Sequence, residues 1–440
     1  MDEVTLEMIR LLKARTDIAL NIGKLKEDAG IPVTDESREE SLRQKVASLC
    51  KEIGLEEPIA ARHLNFLLNE SVKIQSAKQT HLSIFHKARE LERQGQKIIH
   101  MEVGQPDFAP PQIVGTALGE ACSKGYTKYG HARGRLEVLD ALARYVSEKF
   151  HPVQQENIMV SPGARFAVYS AITALLDPGD EMVVIEPAWP AYRDCALHAG
   201  IKTRTVAAAL ENRWEPDPGQ IEDVINPNTK MIILNYPNNP TGKILPERLQ
   251  DGIVEMAVKN NLYILSDEIY SQYSNDWKSV LSYEYEKSII TQSFSKSHAM
   301  TGLRVGYAVA HNSIIERMSR LASLCLTSVS EPIQYAAMMA LGADTSEFAS
   351  VMQRRLGVLS READRAGFEF AAPDGAMYLF VRTGIDGSKL AVEALRRGLA
   401  VAPGEGFGRY GDYIRISACQ NEKTLIDGMN ILSRLVDECR

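Results

Sequence analysis

Lys296 stands in the run Ser293-Phe294-Ser295-Lys296-Ser297-His298-Ala299-Met300-Thr301-Gly302-Leu303-Arg304. A lysine of this kind can act as a nucleophile toward a carbonyl carbon if its surroundings lower its basicity. Upstream lie Asn235-Tyr236-Pro237-Asn238-Asn239-Pro240-Thr241-Gly242 and Ser266-Asp267-Glu268-Ile269-Tyr270. Each run alone has a bland reading: a solvated lysine, a turn, a helix cap. Together they meet the needs of one chemistry, that of pyridoxal 5'-phosphate. It requires a carbonyl-binding lysine (Lys296), an acid that keeps the pyridine nitrogen protonated (Asp267), donors to the phenolate oxygen (Asn239 and Tyr270) and a phosphate cup (Arg304 with Ser293).

Such groups must be brought together by the ends of successive strands. From about Gly95 onward, apolar β-rich runs alternate with helical segments. They are Ile158 to Val160, Met182 to Ile185, Met231 to Leu234, Leu262 to Leu265, Ile289-Ile290 and Val305 to Tyr307. The pattern predicts a mainly parallel sheet covered on both faces, with its loops converging at the strands' C-terminal ends. After about Glu331, a long helix, a strand at Met377 to Val381, another helix, a strand at Tyr413 to Ser417 and a last helix predict a smaller α+β domain. The stretch from Asn212 to Asn228 reads as the most turn-rich loop.

With these motifs in order, residues 80 to 440 resemble the fold-type I aminotransferases of class I/II, the aspartate and prephenate aminotransferase-like group. The resemblance implies that Lys296 carries the cofactor and then moves a proton, that Asp267 holds the pyridinium, and that Asn239 and Tyr270 donate to the phenolate oxygen. In Ser161-Pro162-Gly163-Ala164-Arg165 it implies phosphate-binding N–H groups on Ala164 and Arg165 at a helix N-terminus. Trp189 matches the aromatic that stacks on the cofactor ring, and Tyr129 the tyrosine that reaches the phosphate of a neighbouring subunit. Arg415 matches the fork that grips the substrate α-carboxylate, and Gly104 the glycine that lets backbone approach it. Arg165, Arg133 and Tyr192 are candidate contacts to a distal carboxylate or ring. The implied boundaries are an arm and part of the small domain at 80–120, a cofactor domain at 121–330 and the rest of the small domain at 331–440.

Residues 1–79 read as three helices. Leu6, Ile9, Leu12, Ile18, Leu20, Ile22 and Leu25 suit one buried stripe on a first helix ending near Glu27. A second helix is expected from about Asp35 to Gly54, and a third from Pro58 to about Gln79. About 80 residues bury too little apolar surface to be secure alone, which predicts an intertwined dimer. Arg15 and Lys26, eleven residues apart, fall on one helix face, as do Ser71 and Gln75. The order and spacing of Arg15, Lys26, Asp35, Arg38, Glu39, Ser71 and Gln75 resemble the all-helical chorismate mutase family. Rearrangement of chorismate to prephenate is pericyclic, so it needs charge complementarity and a fixed conformer rather than a nucleophile. The resemblance implies Arg15 and Arg38 at carboxylates, Lys26 and Gln75 at the ether oxygen, and Glu39 at the ring hydroxyl. That family also has an arginine near the start of its first helix. Arg10 lies too close to Arg15 to match it, so another cation, a start further upstream or a mainly regulatory module is expected.

Composition bounds the partners. The 440 residues carry a formal charge of −7 and ordinary globular proportions, 45% hydrophobic and 24% charged. Nucleic acid and anionic membranes are thus not expected partners, and no basic recognition helix points to a transcription factor. Six scattered cysteines without a CxxC pair suggest neither a metal site nor a disulfide framework. No apolar run spans a bilayer and the N-terminus opens acidic, so a cytoplasmic homodimer acting on small molecules is expected. The reading is an all-α module fused to an α/β aminotransferase. It rearranges chorismate and transaminates prephenate or an aromatic keto acid with glutamate or aspartate as donor. The alternative is an aspartate or aromatic aminotransferase whose front module binds a regulatory ligand or only dimerises.

Overall fold

The computed structural model describes residues 1–28, 36–75, 81–274 and 276–439. The chain divides into two compact units, Met1–Lys78 and Gln79–Arg440.

The first unit contains α1 (Asp2–Asp28), α2 (Glu36–Ile53) and α3 (Glu57–Gln75). α3 packs on both α1 and α2. At 27 residues α1 is about 40 Å long and outreaches its shorter neighbours. The expected stripe on α1 is therefore not buried within the chain. Leu6, Ile9, Ile18 and Leu25 are each more than half exposed, and Ala19 is the apolar residue of the helix that is fully covered.

The second unit is built on a seven-stranded sheet. After the short β1 (Ile99–His100) come β2 (Ile158–Ser161), β3 (Glu181–Glu186), β4 (Lys202–Ala207), β5 (Thr229–Leu234), β6 (Tyr263–Asp267), β7 (Ser288–Ser293) and β8 (Gly306–Ala310). The order is β2-β8-β7-β6-β5-β3-β4. Strands β7, β6, β5, β3 and β4 run parallel, while β8 is antiparallel to both β7 and β2. The apolar runs follow from burial on both faces. Val183, Ile185, Ile232, Leu234, Ile264 and Ile290 fill one core, and their chain neighbours Met182, Val184, Met231, Ile233, Leu265 and Ile289 fill the other. Each such side chain contributes about 1.5–3 kcal/mol.

The remaining sheet contains β9 (Glu369–Phe370), β10 (Tyr378–Arg382), β12 (Ala402–Pro403) and β13 (Tyr413–Ser417), in the order β12-β13-β10-β9. β11 (Leu399–Ala400) pairs with β1. Helices Ser346–Arg365, Gly387–Arg396 and Glu422–Cys439, with His81–Arg93, close a separate core over this sheet. Val114, Ala117 and Ala121, on the helix Gln112–Ser123, share the large-domain core, as do Ala336, Ala337 and Ala340. The boundaries expected at 120 and 331 thus cut helices from the core they fill. Two further details differ from expectation. One long helix after Glu331 is two, Glu331–Ala340 and Ser346–Arg365, and the turn-rich stretch 212–228 contains the helix Pro218–Val224. Among the described residues no helix is long and apolar enough to cross a membrane.

Candidate active site

The C-terminal ends of β6 and β7 carry the chemistry. Asp267 is the last residue of β6, and β7 ends at Ser293, where the short helix Phe294–Ser297 begins. Parallel strands with apolar residues on both faces place these polar ends at one edge of the sheet.

Asp267 is buried and accepts two hydrogen bonds. Tyr192 Oη donates to Oδ2 at 2.6 Å and Thr291 Oγ1 to Oδ1 at 2.9 Å. Burial raises its pKa, opposed by those two hydroxyls. Tyr192 was a candidate for a distal substrate contact. It is instead wholly buried behind Asp267, because its ring fills the core beneath Trp189. Thr291, paired in register with Asp267 across β6 and β7, was not singled out.

Lys296 is half-buried as a residue, but its amino group is enclosed. Nζ donates to the Gly104 carbonyl. Burial pushes the ammonium down to about 8, with Arg415 and Arg304 adding to that and Cys419 and Asp267 opposing it. The backbone carbonyl of Lys296 is held by Tyr273 Oη at 2.7 Å. Gly104 is buried, and a Cβ there would lie 1.8 Å from Tyr378 Oη. Tyr378 Oη is also 2.8 Å from Tyr270 Oη, which links two buried phenols. Tyr378 had no recognisable motif in the sequence.

Arg415 lies mid-strand in β13 and is 2% exposed. Its Nη1 donates to Asn239 Oδ1 at 2.9 Å, its Nη2 to the Glu102 carbonyl, and its Nε is buried without a partner. The guanidinium lies over the Tyr378 and Phe407 rings, at 4.4 and 4.9 Å. Asn239 is in turn steadied by Asn235, whose Oδ1 accepts from its N–H at 3.2 Å.

Arg304 has φ 52° and donates to the Thr301 carbonyl at 2.8 Å, and one of its nitrogens occupies the space where a Cβ on Gly163 would sit. Gly163, at φ 79°, starts the helix Ala164–Leu175 without any side-chain cap. Arg165 is exposed, with its cation 4.8 Å from the Trp189 ring centroid. Burial and the charge of Arg165 together lower the pKa of Arg304. Ser293 caps its own short helix through Ser295 N–H and donates to the Val305 carbonyl, so both of its hydrogen-bonding roles are taken locally. Tyr129 is 91% exposed. Arg133 is half-buried, with Nε unpartnered.

Four charged groups at this edge have no salt-bridge partner among the described residues. The buried Asp267 carboxylate is met by the Tyr192 and Thr291 hydroxyls and the Ile269 backbone, Arg415 has no carboxylate, and Arg304 and Arg165 repel each other at an uncapped helix N-terminus. The donor set fits a molecule with a protonated ring nitrogen, a carboxylate and a phosphate.

In the first unit, Arg15 is half-buried and its Nε is buried without a partner. Lys26 and Glu39 are half-buried and Arg38 is exposed. Ser71 Oγ donates to its own helix at the Leu67 carbonyl, 2.8 Å away. Arg10 pairs with Glu7 on an exposed face at 2.9 Å. Asp35 lies outside the described residues, and Gln75 is described only as the last residue of α3.

The family model of aminotransferase class I and II matches residues 96–428, and that of chorismate mutase type II matches residues 1–76. The chain is 34% identical over 370 residues to an aspartate aminotransferase of Pyrococcus horikoshii, covering 80% of this chain and 94% of that one. It is 31% identical over 379 residues to an aspartate/prephenate aminotransferase of Thermus thermophilus, covering 83% and 98%. A crystal structure of the Thermotoga maritima aspartate aminotransferase matches with a TM-score of 0.79 at 29% identity, over 82% of this chain and 97% of that one.

Proposed function

The chain belongs to the class I and II aminotransferase family, and from that membership we propose a bifunctional enzyme of aromatic amino-acid biosynthesis. Its first unit rearranges chorismate to prephenate, and its second transfers an amino group from glutamate or aspartate to prephenate, giving arogenate. The observation that carries the reading is the convergence of Lys296, Asp267, Asn239 and Arg415 around uncompensated charge, in a chain whose first 76 residues match a chorismate mutase.

Bound at this edge, pyridoxal 5'-phosphate supplies an electron sink for the pair left when the amino acid loses its α-proton. Asp267 holds a proton on the ring nitrogen, and Tyr192 and Thr291 hold Asp267 ionised. Lys296, its pKa lowered to about 8 by burial, has a far larger share of free amine near pH 8 than a solvated lysine. It can therefore move a proton between the α-carbon and its neighbour on the cofactor. Asn239 and Tyr270 would donate to the phenolate oxygen, and Trp189 would cover the ring. Arg304 and the N–H groups of Ala164 and Arg165 would receive the phosphate, with Ser293 holding the start of the helix that carries Lys296. Arg415 fixes the α-carboxylate with a planar fork, which orients the α-proton toward Lys296. The Arg165 guanidinium, which has no salt bridge among the described residues, is suited to a distal carboxylate. In the first unit Arg15 and Arg38 would neutralise the carboxylates of chorismate, Lys26 and Gln75 would serve the ether oxygen, and Glu39 would hold the ring hydroxyl.

The two halves are proposed to work as a homodimer. The exposed apolar residues of α1 need covering, and Tyr129 is free to reach a partner's phosphate. The test is incubation of the protein with chorismate, pyridoxal 5'-phosphate and either donor, followed by mass spectrometry. Prephenate and arogenate should both accumulate; absence of both overturns the reading. Comparison of kcat/KM for prephenate, oxaloacetate and phenylpyruvate then ranks the acceptors, and oxaloacetate far ahead of prephenate would favour a general aspartate aminotransferase.

A further inference from the structure

The segment leading to Gly104 carries ionisable groups that transamination does not use. Glu102 is completely buried, yet only one carboxylate oxygen has a partner. His100 Nδ1 lies 2.8 Å from Oε1, and Oε2 has none. On the far side of the same imidazole, Nε2 stands 3.1 Å from Glu92 Oε1 on the helix His81–Arg93, a charge contact that is off hydrogen-bond geometry. Glu92 Oε2 in turn accepts from Arg89 Nη1 at 3.0 Å. Arg89 lies over the Phe85 ring, which meets His100 in a T-shaped contact. Glu92 and Arg89 from the helix and Glu102 from its own segment are thus the charged groups around His100 among the described residues. Strand β11, paired with β1, brings only Leu399 and Ala400.

The backbone of this segment is the seat of Arg415. The Glu102 carbonyl accepts from Arg415 Nη2. Next to it, Met101 N–H donates to the Ala400 carbonyl at 2.9 Å, and the Met101 carbonyl accepts from Ser417 N–H at 2.8 Å. Gln420 Nε2 donates to the His100 carbonyl at 3.2 Å. We propose that His100 is a positioning residue for the substrate carboxylate: a cation clasped between Glu92 and Glu102, it fixes the carbonyl on which Arg415 is seated. The proposal rests on the reading of Arg415 as the carboxylate fork.

A buried carboxylate must be matched by a cation or give up its charge. Hydrogen bonding to Glu102 raises the pKa of His100, against burial and with help from Glu92. A raised histidine pKa means that the clasp is complete below about 6.5, the ordinary value. It is lost as pH climbs through the higher value that His100 has in the fold. Above it, the contact with Glu92 loses its charge and Glu102 faces a neutral ring. The carbonyl beneath Arg415 is then held less firmly, and substrate affinity falls while the chemical step is left alone.

The experiment measures, by calorimetry, the Kd of succinate, an unreactive dicarboxylate, for the cofactor-loaded full chain between roughly pH 6 and 9. Wild type, Glu92→Gln and His100→Gln are compared, each first checked by thermal melting. In wild type the Kd should weaken about tenfold along the alkaline limb, the effect of one hydrogen bond to a charged group. Glu92→Gln removes an anion that favours the cation, so the limb should move to lower pH. His100→Gln should abolish the limb and fix the Kd near the wild-type alkaline value. In transamination KM should follow these changes while kcat stays within about threefold. A limb that stays in place in both variants, or a kcat that falls while Kd holds, overturns the proposal. If His100→Gln melts early, Glu92→Gln decides, since that side chain is one-third exposed. A wild-type protein that transaminates no donor at any pH would instead sink the aminotransferase reading, and the proposal with it.

Discussion

Tyr192 Oη sits 2.6 Å from Asp267 Oδ2, and both groups are buried. The phenol is positioned by the sheet's second core and does not reach the substrate side, so it acts on Asp267 alone. Tyr192→Phe keeps the packing and removes one of two donors. A hydrogen bond to a charged group is worth about 1.5–3 kcal/mol, so kcat/KM should fall roughly 10- to 100-fold. Tyr192→Phe combined with Thr291→Val should cost more than either alone, because the carboxylate would then have no hydroxyl partner. Steady-state kinetics and the cofactor dissociation constant, measured together, check this.

Lys296 should label at an unusually low pH. In the cofactor-free protein its amine is half deprotonated near pH 8, whereas a solvated lysine is so near 10.4. Acylation at Lys296, followed by peptide mass spectrometry, should rise through pH 8 and level off while other lysines are still climbing. The depressed pKa also means that the unfolded chain binds more protons between those values, so stability of the cofactor-free protein should increase with pH across that window. A labelling midpoint near 10 would remove the case for a neutral amine.

Arg415→Lys keeps the charge and loses the fork. KM for the amino donor should rise about 10- to 100-fold, with a smaller change in kcat, as expected where one of two parallel hydrogen bonds is lost. An unchanged KM would show that the α-carboxylate binds elsewhere.

Gly104→Ala should damage the site through Tyr378. The added methyl would stand 1.8 Å from Tyr378 Oη, and overpacking of this kind costs about 1–3 kcal/mol. A lower Tm and a higher KM are expected. Tyr378→Phe in the same background should restore part of the Tm, since it removes the clashing oxygen; no restoration would mean that the backbone itself is strained.

Arg15→Ala should separate the two activities. Loss of the half-buried guanidinium should reduce chorismate consumption by about 100-fold or more, in line with removal of a preorganised charge partner. Transamination and the melting temperature should hold. Equal loss of both activities would point to a folding defect.

Lys296, Asp267, Asn239, Tyr270 and Arg415 stand out in the sequence as candidates because one chemistry demands those residue types within short recognisable runs. Thr291, Tyr378 and Glu102 do not, since their roles come from cross-strand register and backbone seating, which no local spacing encodes. A tyrosine three residues past Trp189 could face the substrate or the core, and only the packing turns Tyr192 to the core and Asp267. The edge strand Lys202–Ala207 escaped notice because only Val206 is buried in it. The helix Pro218–Val224 did have a signal, Asp217 as cap followed by proline at the first helical position, which the surrounding turn residues masked. The apolar stripe of α1 was visible, but a single chain does not bury it.

Two cations at the site, Lys296 and Arg415, rest on main-chain oxygens two residues apart, at Gly104 and Glu102. A carbonyl survives every side-chain replacement at its own position. Saturation mutagenesis should therefore find these two acceptors invisible as such: variants at 102 and 104 will register only through what the new side chain displaces. Moving or weakening either acceptor takes a backbone edit: proline at 103 redirects the chain, and an ester in place of the amide leaves the carbonyl in place as a weaker acceptor. Those edits, rather than any alanine scan, are the ones that would reveal how much of the site's electrostatics is written into the backbone.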